Sequence, residues 1–347
     1  MLPAREGDCL WLRYGKPGAI RQILIDCGRA ATFQELRVRL LALPASERHF
    51  ELLVITHVDR DHIEGALGLL EDAALPVTFG DIWFNGFDHL NSARLETFGA
   101  VQGERLTTAL LKRKAAWNKA WQGKAVAIRG AALPKKKLAG GLTLTVLSPD
   151  KQKLLDLIPT WKAECIAAGL VPGSKARRAA LRRGLEEFGG PNVDLLAAGK
   201  FSDDSTKPNG SSIALLAEYG GKRVVLGADA HVGRMLPSLT ALAKGRKLKI
   251  DAFKVPHHGS EANISKELLE TVSCDKYLIS TSGSYFKHPR AAAVARLLKF
   301  GGSKKTLYFN YASTFTKAWD KPALKKKYGY DVVMPAAAAN GTLKVTI

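Results

Sequence analysis

The chain opens with an alternation of apolar and polar positions, in which Leu10, Leu12 and Tyr14 would share one face of an extended segment. A period of two predicts a half-buried strand, whereas apolar positions three and four residues apart predict a helix. Up to residue 87, these rules predict strands at 10–14, 20–25, 51–56 and 81–87 and helices at 33–43 and 63–70. The segment 57–62 is therefore predicted to lie on a loop between a strand and a helix.

Strand character returns in the last third of the chain, where Gly220-Gly221 separates two apolar runs as a hairpin turn does. The strands predicted here are 211–219, 222–227, 250–255, 276–280 and 306–310, and the helices are 231–243, 264–272 and 290–299. From about 90 to 190 the pattern is mostly helical, basic and rich in alanine, with one strand at 142–147. Strands thus open and close the chain around a helical block, which predicts a mixed α/β (α+β) fold.

The composition is that of a globular protein: 347 residues, 46% of them apolar and 24% charged, with a mean hydropathy of −0.07. No apolar stretch approaches the roughly 18 residues that a membrane helix needs, and Glu6 and Asp8 stand where a signal peptide has its apolar core. We therefore expect a cytoplasmic protein with no membrane partner. The four cysteines form no CxxC pair, which favours reduced thiols over disulfides or a cysteine zinc site.

The formal net charge is +20, and two segments hold all of the excess. Residues 88–190 carry 19 Lys/Arg against 8 Asp/Glu, residues 287–327 carry 11 against 1, and the rest of the chain sums to −1. A concentrated basic surface attracts polyanions because binding releases condensed counterions. Nucleic acid is therefore the predicted partner. Trp117, Trp121 and Trp161 could stack on unpaired bases, but their spacing is more typical of a buried helix face.

The strongest chemical signal is the motif His57-x-Asp59-x-Asp61-His62, which directly follows the strand predicted at 51–56. Imidazole nitrogens and carboxylate oxygens bind Zn²⁺, Mn²⁺ and Fe ions, and four such side chains on one loop can converge on one point. Further groups that follow predicted strands in the same way are Asp26, Asp229 and the pair His257-His258. Open sheets place their ligands just beyond strand ends, so all of these side chains share a predicted destination.

Taken together, these motifs resemble the metallo-β-lactamase superfamily. The similar segments are a strand ending in Asp26-Cys-Gly, the loop Thr56-His-x-Asp-x-Asp-His62, a strand ending in Gly227-Ala-Asp-Ala230, and Pro256-His-His-Gly-Ser260. They are most similar to the hydrolase domain of ComEC-type DNA-uptake proteins and their stand-alone relatives. The resemblance covers residues 1–87 and 205–315. It implies an αββα sandwich with the metal site along one sheet edge, here a single domain of residues 1–347 with a basic, mostly helical insertion at about 88–205.

The resemblance also implies roles for individual side chains. Asp26 would steady the site, and Asp229 would bridge two metal positions. The ligands of the first position would be His57 and Asp59, and those of the second Asp61, His62 and His258, with His257 as the competing choice for the last. His288, in a Lys-His-Pro element, would contact the scissile phosphate.

Two departures from the superfamily pattern bear on the metal. Asp59 stands where most members have histidine, and the segment Asn209-Gly-Ser211-Ser212 stands where most supply another histidine. Both increase the oxygen character of the site, which favours a harder ion such as Mn²⁺ over Zn²⁺. We therefore expect one or two divalent ions, with Asn209 and Ser211 as supporting residues and His89 as a candidate replacement ligand.

Two metal ions that share a water would generate hydroxide near neutral pH, and Asp61 would orient it and accept its proton. The basic segments would bind a phosphodiester backbone, whereas a β-lactam or lactone gains nothing from so much positive charge. The predicted function is therefore a metal-dependent nuclease or phosphodiesterase. Hydrolysis of a small ester, lactone or nucleotide is one alternative. An interaction or effector component whose basic insertion binds a protein partner is the other.

Overall fold

The structure is a computed structural model, and it describes residues 1–90, 101–168, 192–336 and 339–347. Within these residues the chain forms a mixed α/β fold of the α+β type. The strands are β1 Leu10–Tyr14, β2 Arg21–Ile25, β3 His49–Phe50, β4 Leu52–Val54, β5 Thr78–Phe79, β6 Ile82–Trp83, β7 Lys135–Lys137, β8 Thr143–Ser148, β9 Ala214–Tyr219, β10 Lys222–Leu226, β11 Leu248–Lys249, β12 Ala252–Lys254, β13 Val272–Ser273, β14 Lys276–Ile279, β15 Lys305–Phe309 and β16 Tyr330–Val333.

The α-helices are α1 Phe33–Leu41, α2 Arg60–Glu71, α3 Phe87–Leu90, α4 Val101–Lys112, α5 Lys151–Ala167, α6 Val193–Ala198, α7 Lys207–Gly210, α8 Val232–Ala243, α9 Lys266–Thr271, α10 Ala291–Phe300, α11 Thr314–Lys317 and α12 Pro322–Tyr328. Most of the predicted strands and helices are present within a few residues of their predicted bounds. Gly220 and Gly221 both have positive φ, 56° and 78°, and form the predicted turn between β9 and β10.

Two larger sheets carry the fold. The first has the order β1-β2-β4-β6, with β1 and β2 antiparallel and the other pairs parallel. The second has eight strands in the order β16-β15-β14-β12-β10-β9-β8-β7, parallel from β10 to β16 and antiparallel from β10 to β7. In each sheet, parallel strands place their carboxyl ends at one edge.

Alternating side chains of the two sheets define the layers. Ile23 and Ile25 of β2 face Leu215 and Ala217 of β9 in one apolar cluster, so the sheets pack face to face. The opposite face of the first sheet packs against α1, α2, α4 and α5, and that of the second packs against α6, α8, α9 and α10. The described helices therefore cover the outer faces of two facing sheets.

The segment predicted as a mostly helical insertion holds two strands where the sequence predicted one. β7 pairs with β8, and β8 pairs with β9, so both strands extend the eight-stranded sheet. Trp161 is fully buried, and the partly buried Trp117 and Trp121 pack on Phe84 and Trp83, so all three tryptophans pack against the interior. The predicted helix face is wrong, because Trp117 lies in a β-bridge and Trp121 at the end of a 3-10 helix. Residues 91–100 and 169–191 of this basic segment lie outside the described residues.

The second basic segment uses part of its charge internally. The Arg296 guanidinium is buried and donates to the carbonyls of Glu261 and Ile264, and Lys305 Nζ donates to the carbonyl of Gly302. These two cations are therefore not available to an outside polyanion. No helix in the described part of the chain is both long and apolar enough to cross a bilayer.

Candidate metal centre

The candidate centre lies where the carboxyl ends of β2 and β4 meet those of β10, β12 and β14. Four residues that follow these strands have left-handed backbone although none is glycine: Asp26 (φ 53°), Ala228 (46°), His257 (44°) and His258 (53°). Such conformations cost free energy and persist where packing over-determines them, often at functional sites. They turn the chain sharply after β2, β10 and β12, so that polar side chains at these turns face the centre.

Asp26 is fully buried and organises the first two histidines. Its Oδ1 accepts from the Thr56 backbone N–H (2.8 Å), and its Oδ2 accepts from Thr56 Oγ1 (2.7 Å) and from His62 Nδ1 (2.8 Å). Because a carboxylate only accepts, the His62 proton is on Nδ1 and Nε2 is left as the acceptor. Asp26 therefore fixes the tautomer of His62.

His57 is oriented in the same way by Thr56. The Thr56 hydroxyl donates to Asp26, so it accepts from His57 Nδ1 at 3.0 Å. The opposite nitrogen, Nε2, is buried and has no hydrogen-bond partner among the described residues. It lies 3.6 Å from Asp59 Oδ2 and 3.9 Å from Asp229 Oδ2. A buried imidazole lone pair without a donor is what a ligand to a cation requires.

His258 supplies a third inward-facing nitrogen. Its Nδ1 donates to the carbonyl of Ser280 (2.8 Å), which leaves Nε2 as an acceptor 3.2 Å from His62 Nε2. Two acceptor nitrogens at that distance repel each other unless a proton or metal ion lies between or beside them. Burial opposes protonation of His62, but Asp229 and Asp26 outweigh it and raise its pKa well above the ordinary value. The pocket is therefore built to hold positive charge.

Asp229 is the anionic centre of the cluster. Its Oδ2 lies 3.4 Å from His62 Nε2, 3.5 Å from His258 Nε2 and 3.8 Å from His257 Nε2, while Oδ1 is buried without a hydrogen-bond partner in the described parts. Burial opposes the charged form, but the imidazoles of His258, His62 and His257 outweigh it and hold the pKa of Asp229 well below its ordinary value. This position, between two sets of ligands, suits a bridging carboxylate.

Asp59 and Asp61 both come from the loop that starts α2. The Asp59 backbone carbonyl accepts from the His62 and Ile63 N–H groups, and its half-exposed side chain lies at the rim of the cluster. Asp61 is buried, with Oδ2 3.9 Å from His258 Nε2. Gly7 packs against the Asp61 backbone so closely that a Cβ would lie 1.7 Å from the Asp61 carbonyl oxygen. The N-terminal segment therefore holds the ligand loop in place.

Among the described residues, four groups of three side chains bring their ligand atoms within 4.8 Å of one another: His57, His62 and Asp229; Asp61, His62 and His258; Asp8, Asp26 and His62; and Asp8, Asp229 and His258. Nitrogen and oxygen donors in this mixture fit a divalent ion such as Zn²⁺ or Mn²⁺. The unpartnered nitrogen of His57 and the unpartnered oxygen of Asp229 fit the same requirement. The described residues are thus suited to one or two metal ions.

His257 lies beside this cluster, and its Nδ1 faces other partners. That nitrogen is 2.9 Å from Asn263 Oδ1 and 3.3 Å from Asp204 Oδ2. Burial lowers the pKa of His257, but Asp229 and Asp204 outweigh it and raise the pKa to about 9. Of the two adjacent histidines, His258 has the geometry of a ligand within the described groups, and His257 forms the rim.

The supporting residues fall into three different environments. Asn209 Nδ2 donates to Asp204 Oδ2 (2.6 Å) and lies 3.2 Å from His257 Nδ1, so Asn209 does support the rim. Ser211 Oγ donates to the carbonyl of Pro208 (2.6 Å) and closes the turn of α7. The neighbouring Ser212 is fully buried, and its hydroxyl has no hydrogen-bond partner within the described ranges.

His89 and His288 also separate. The His89 ring packs edge-on against Trp117 (4.6 Å), and no ligand group formed by the described residues includes it. The His288 ring lies 5.2 Å from that of His257 and 6.5 Å from that of His258, so His288 does border the centre. Burial, together with His257, His258 and Arg290, lowers the pKa of His288 well below its ordinary value. His288 is therefore a neutral imidazole.

Sequence reasoning missed Asp8, Lys254 and Asp204. Asp8 and Lys254 form a buried ion pair (2.7 Å), and Asp8 Oδ1 lies 3.6 Å from His258 Nδ1. The only sequence signal for this pair was a lysine inside an apolar strand, since such a charge requires a buried partner. Asp204 accepts from the Thr206 N–H and hydroxyl, and although burial opposes it, His257 and Asn209 lower its pKa.

No protein-family model matches this chain, and no curated protein is significantly similar to it. Its function is therefore argued from the geometry of the centre and the chemistry of its side chains.

Proposed function

We propose that the protein is a metal-dependent phosphodiesterase, and most specifically a nuclease, of the metallo-β-lactamase superfamily. The observation that carries this proposal is the pair of buried ligand groups that share His62: His57 and Asp229 on one side, and Asp61 and His258 on the other. The other ring nitrogens of His57, His62 and His258 are held by Thr56, Asp26 and Ser280, so the inward nitrogens are free to bind a cation.

The layer order supports the superfamily part of the proposal. Two face-to-face sheets covered by helices on their outer faces correspond to the αββα sandwich that the sequence motifs imply. The ligands also follow the ends of strands in both sheets, at the edge where that architecture would hold its metal. Because β7 and β8 extend the second sheet, the basic segment at 88–205 contributes to this single proposed domain as well as covering it.

A divalent ion bound here supplies a water of lowered pKa and neutralises the charge that develops on a phosphoryl group. His57, Asp59 and Asp229 would hold one position, and Asp61, His62, His258 and Asp229 the other. Asp61 is also the proposed proton acceptor, because its buried carboxylate borders the cluster, 3.9 Å from His258 Nε2, and forms no ion pair with a lysine or arginine in the described residues.

His288 is the proposed contact to the phosphodiester. It is buried beside His257 and His258, and its Nδ1 has no hydrogen-bond partner in the described segments. A neutral imidazole has one N–H to donate and can orient a phosphate oxygen without competing for the metal. The net charge of +20 favours a polyanionic substrate over a neutral ester or lactone.

The test is cleavage of labelled single- and double-stranded DNA and RNA by the purified protein with Mn²⁺, with Zn²⁺ or with EDTA. D61A and H62A should each lose metal-dependent cleavage by at least about a hundredfold, since each removes a ligand. H49A is the matched control, because His49 is an exposed imidazole bonded to Thr78 on β5. It should cleave as the unchanged protein does.

The same panel should include bis-p-nitrophenyl phosphate and a set of lactones and carboxylic esters. Cleavage of a lactone or ester with no action on any nucleic acid would replace the proposed substrate class while leaving the metal centre intact. Failure to bind metal, measured by elemental analysis after dialysis, would overturn the proposal and favour an interaction component whose basic segment binds a partner.

A further inference from the structure

An aromatic arm borders the candidate centre on the loop that follows β14. Residues 285–288 of this loop are Tyr285, Phe286, Lys287 and His288. Phe286 is 40% exposed, one of few large apolar side chains in the described residues that reach so far into solvent. Single exposed apolar residues are common on protein surfaces, so its meaning depends on what surrounds it.

Phe286 continues a line of rings that leads away from Asp229. His257 Nε2 lies 3.8 Å from Asp229 Oδ2, and the His257 ring is 5.2 Å from that of His288. The Phe286 ring follows at 6.1 Å from His288, with only 30° between the two planes. A planar group laid on Phe286 would therefore sit one ring beyond the residue proposed to hold the phosphate.

Backbone hydrogen bonds and close packing hold the loop that carries the arm. The Lys287 N–H donates to the Gly283 carbonyl (3.1 Å), and the Ser282 N–H donates to the Arg5 carbonyl (2.6 Å). The loop packs so tightly that a Cβ on Gly283 would lie 2.4 Å from the Phe315 ring. A preorganised aromatic face loses little conformational entropy when a ligand stacks on it.

Basic side chains lie near the arm. The Arg29 guanidinium, which also pairs with Glu6, lies over the Tyr285 ring (5.4 Å to its centroid), and Lys287 Nζ lies over Phe315 (5.7 Å). Arg290 is exposed two residues beyond His288. An aromatic face with positive charge around it is the combination that binds single-stranded nucleic acid, in which bases stack and phosphates pair with cations.

We propose that Phe286 is a stacking platform for the nucleobase next to the scissile phosphate, and that it makes the centre selective for unpaired strands. This inference rests on the proposed nuclease function and adds its specificity determinant. A base inside a duplex is already stacked on its neighbours and must be extruded before it can reach Phe286, whereas an unpaired base needs no such step.

The test compares F286A, F286W and the unchanged protein on two single strands of equal length. One is an oligothymidylate, and the other has the same backbone but tetrahydrofuran abasic sites in place of every base. F286A should lower kcat/KM on the oligothymidylate by about tenfold or more, and F286W should retain activity. On the abasic strand all three proteins should be equal, because no base is present to stack. V38A, which truncates an exposed apolar side chain on α1, is the control and should change neither rate.

Equal losses for F286A on both strands, or no loss on either, would overturn the stacking role even if the nuclease function stands. If the unchanged protein cleaves neither strand, fluorescence quenching of a strand that contains 2-aminopurine separates the two proposals. Quenching that F286A abolishes and F286W keeps would uphold the stacking site without hydrolysis. Absence of quenching in the unchanged protein would overturn the stacking site, while the nuclease function would then be decided by cleavage of duplex DNA and of RNA.

Discussion

Lys254 Nζ lies 2.7 Å from Asp8 Oδ2, and both side chains are fully buried beneath the candidate metal centre. The pair joins the segment before β1 to the end of β12, and the remaining oxygen of Asp8 faces His258 Nδ1 at 3.6 Å. Burial opposes ionisation of Asp8, but Lys254 and His258 outweigh it and lower the pKa of this carboxyl. The charges on this pair therefore depend on each other.

Removing one partner should be costly for this reason. We expect K254M to lower the free energy of unfolding by about 3–5 kcal/mol, because it leaves the Asp8 carboxylate buried and uncompensated. The double variant D8N/K254M should recover part of that loss, since it removes both charges. Urea denaturation in the presence of EDTA measures each value without a contribution from metal binding.

The exposed pair Lys222–Asp251, with Nζ and Oδ1 3.0 Å apart, is the matched control. K222M should cost no more than about 1 kcal/mol, because solvent screens that pair. A value for K254M as small as that for K222M would show that water or rearrangement compensates Asp8.

The candidate centre also predicts a ligand-dependent stability. Divalent metal that binds only the folded state should raise the thermal midpoint progressively with its concentration, by the equivalent of about 2.7 kcal/mol at a hundred times its Kd. D229N should abolish this rise, because Asp229 is the proposed bridging ligand and its Oδ2 lies within 4 Å of four imidazole nitrogens. Differential scanning fluorimetry with Mn²⁺ and Zn²⁺ titrations provides the measurement.

D251N serves as the control for this experiment. Asp251 accepts hydrogen bonds from Lys222 Nζ and the Arg223 N–H at the amino ends of β10 and β12, away from the candidate centre. It should keep the full response to metal. A metal-induced rise that survives in D229N would place the binding site elsewhere in the protein.

Local patterns were sufficient to predict most elements and the first ligands. The segment 57–62 could be placed between a strand and a helix because an apolar strand precedes it and an amphipathic helix follows it, and both are properties of neighbouring residues. The loop is shorter than predicted, since α2 begins at Arg60 and carries Asp61 and His62 in its first turn. The inward direction of His57 and His62 depends on hydrogen bonds to Thr56 and Asp26. Both of these residues follow strands, so the same rule about strand ends places them near the site.

Contacts between distant segments could not be predicted in this way. Asp8 and Lys254 form an ion pair although most of the chain separates them in sequence. Similarly, β7 and β8 join a sheet whose other strands begin only at residue 214. The sequence motifs favoured His258 as the ligand but kept His257 as the competing choice. Two consecutive left-handed residues, with φ of 44° and 53°, aim these adjacent side chains in different directions, and no local pattern indicates such a turn.

Acid stability should depend on Asp194, which joins α6 to α10 and α12. Hydrogen bonds from Lys299 (2.9 Å) and the Tyr328 hydroxyl (2.9 Å) lower the pKa of Asp194 from 3.8 to about 2. A carboxyl with a lowered folded-state pKa stabilises the protein above its unfolded-state pKa and loses that contribution as the pH falls through the folded value. The contribution should therefore be full above pH 4 and fade towards pH 2.

Urea midpoints of the unchanged protein and D194N, measured at intervals from pH 7 to pH 2, test this expectation. The unchanged protein should be the more stable at pH 5 to 7, and the difference should shrink below pH 4. A difference that stays constant down to pH 2 would mean that the loss in D194N comes from packing or from the amide itself, not from the charge of Asp194.

Gly7 lies so close to the segment that carries Asp61 and His62 that a larger residue should disturb both stability and metal binding. A methyl group at this position would overlap the Asp61 carbonyl, so G7A must displace either the N-terminal segment or the loop that carries Asp61 and His62. We expect a loss of about 1–3 kcal/mol in the free energy of unfolding and weaker metal binding, because ligand geometry is altered together with packing. G130A is the control, since a Cβ on Gly130 meets nothing within 4 Å. Isothermal titration with Mn²⁺ should show reduced affinity in G7A and unchanged affinity in G130A. Equal affinity in both variants would mean that the ligand loop keeps its geometry without support from Gly7.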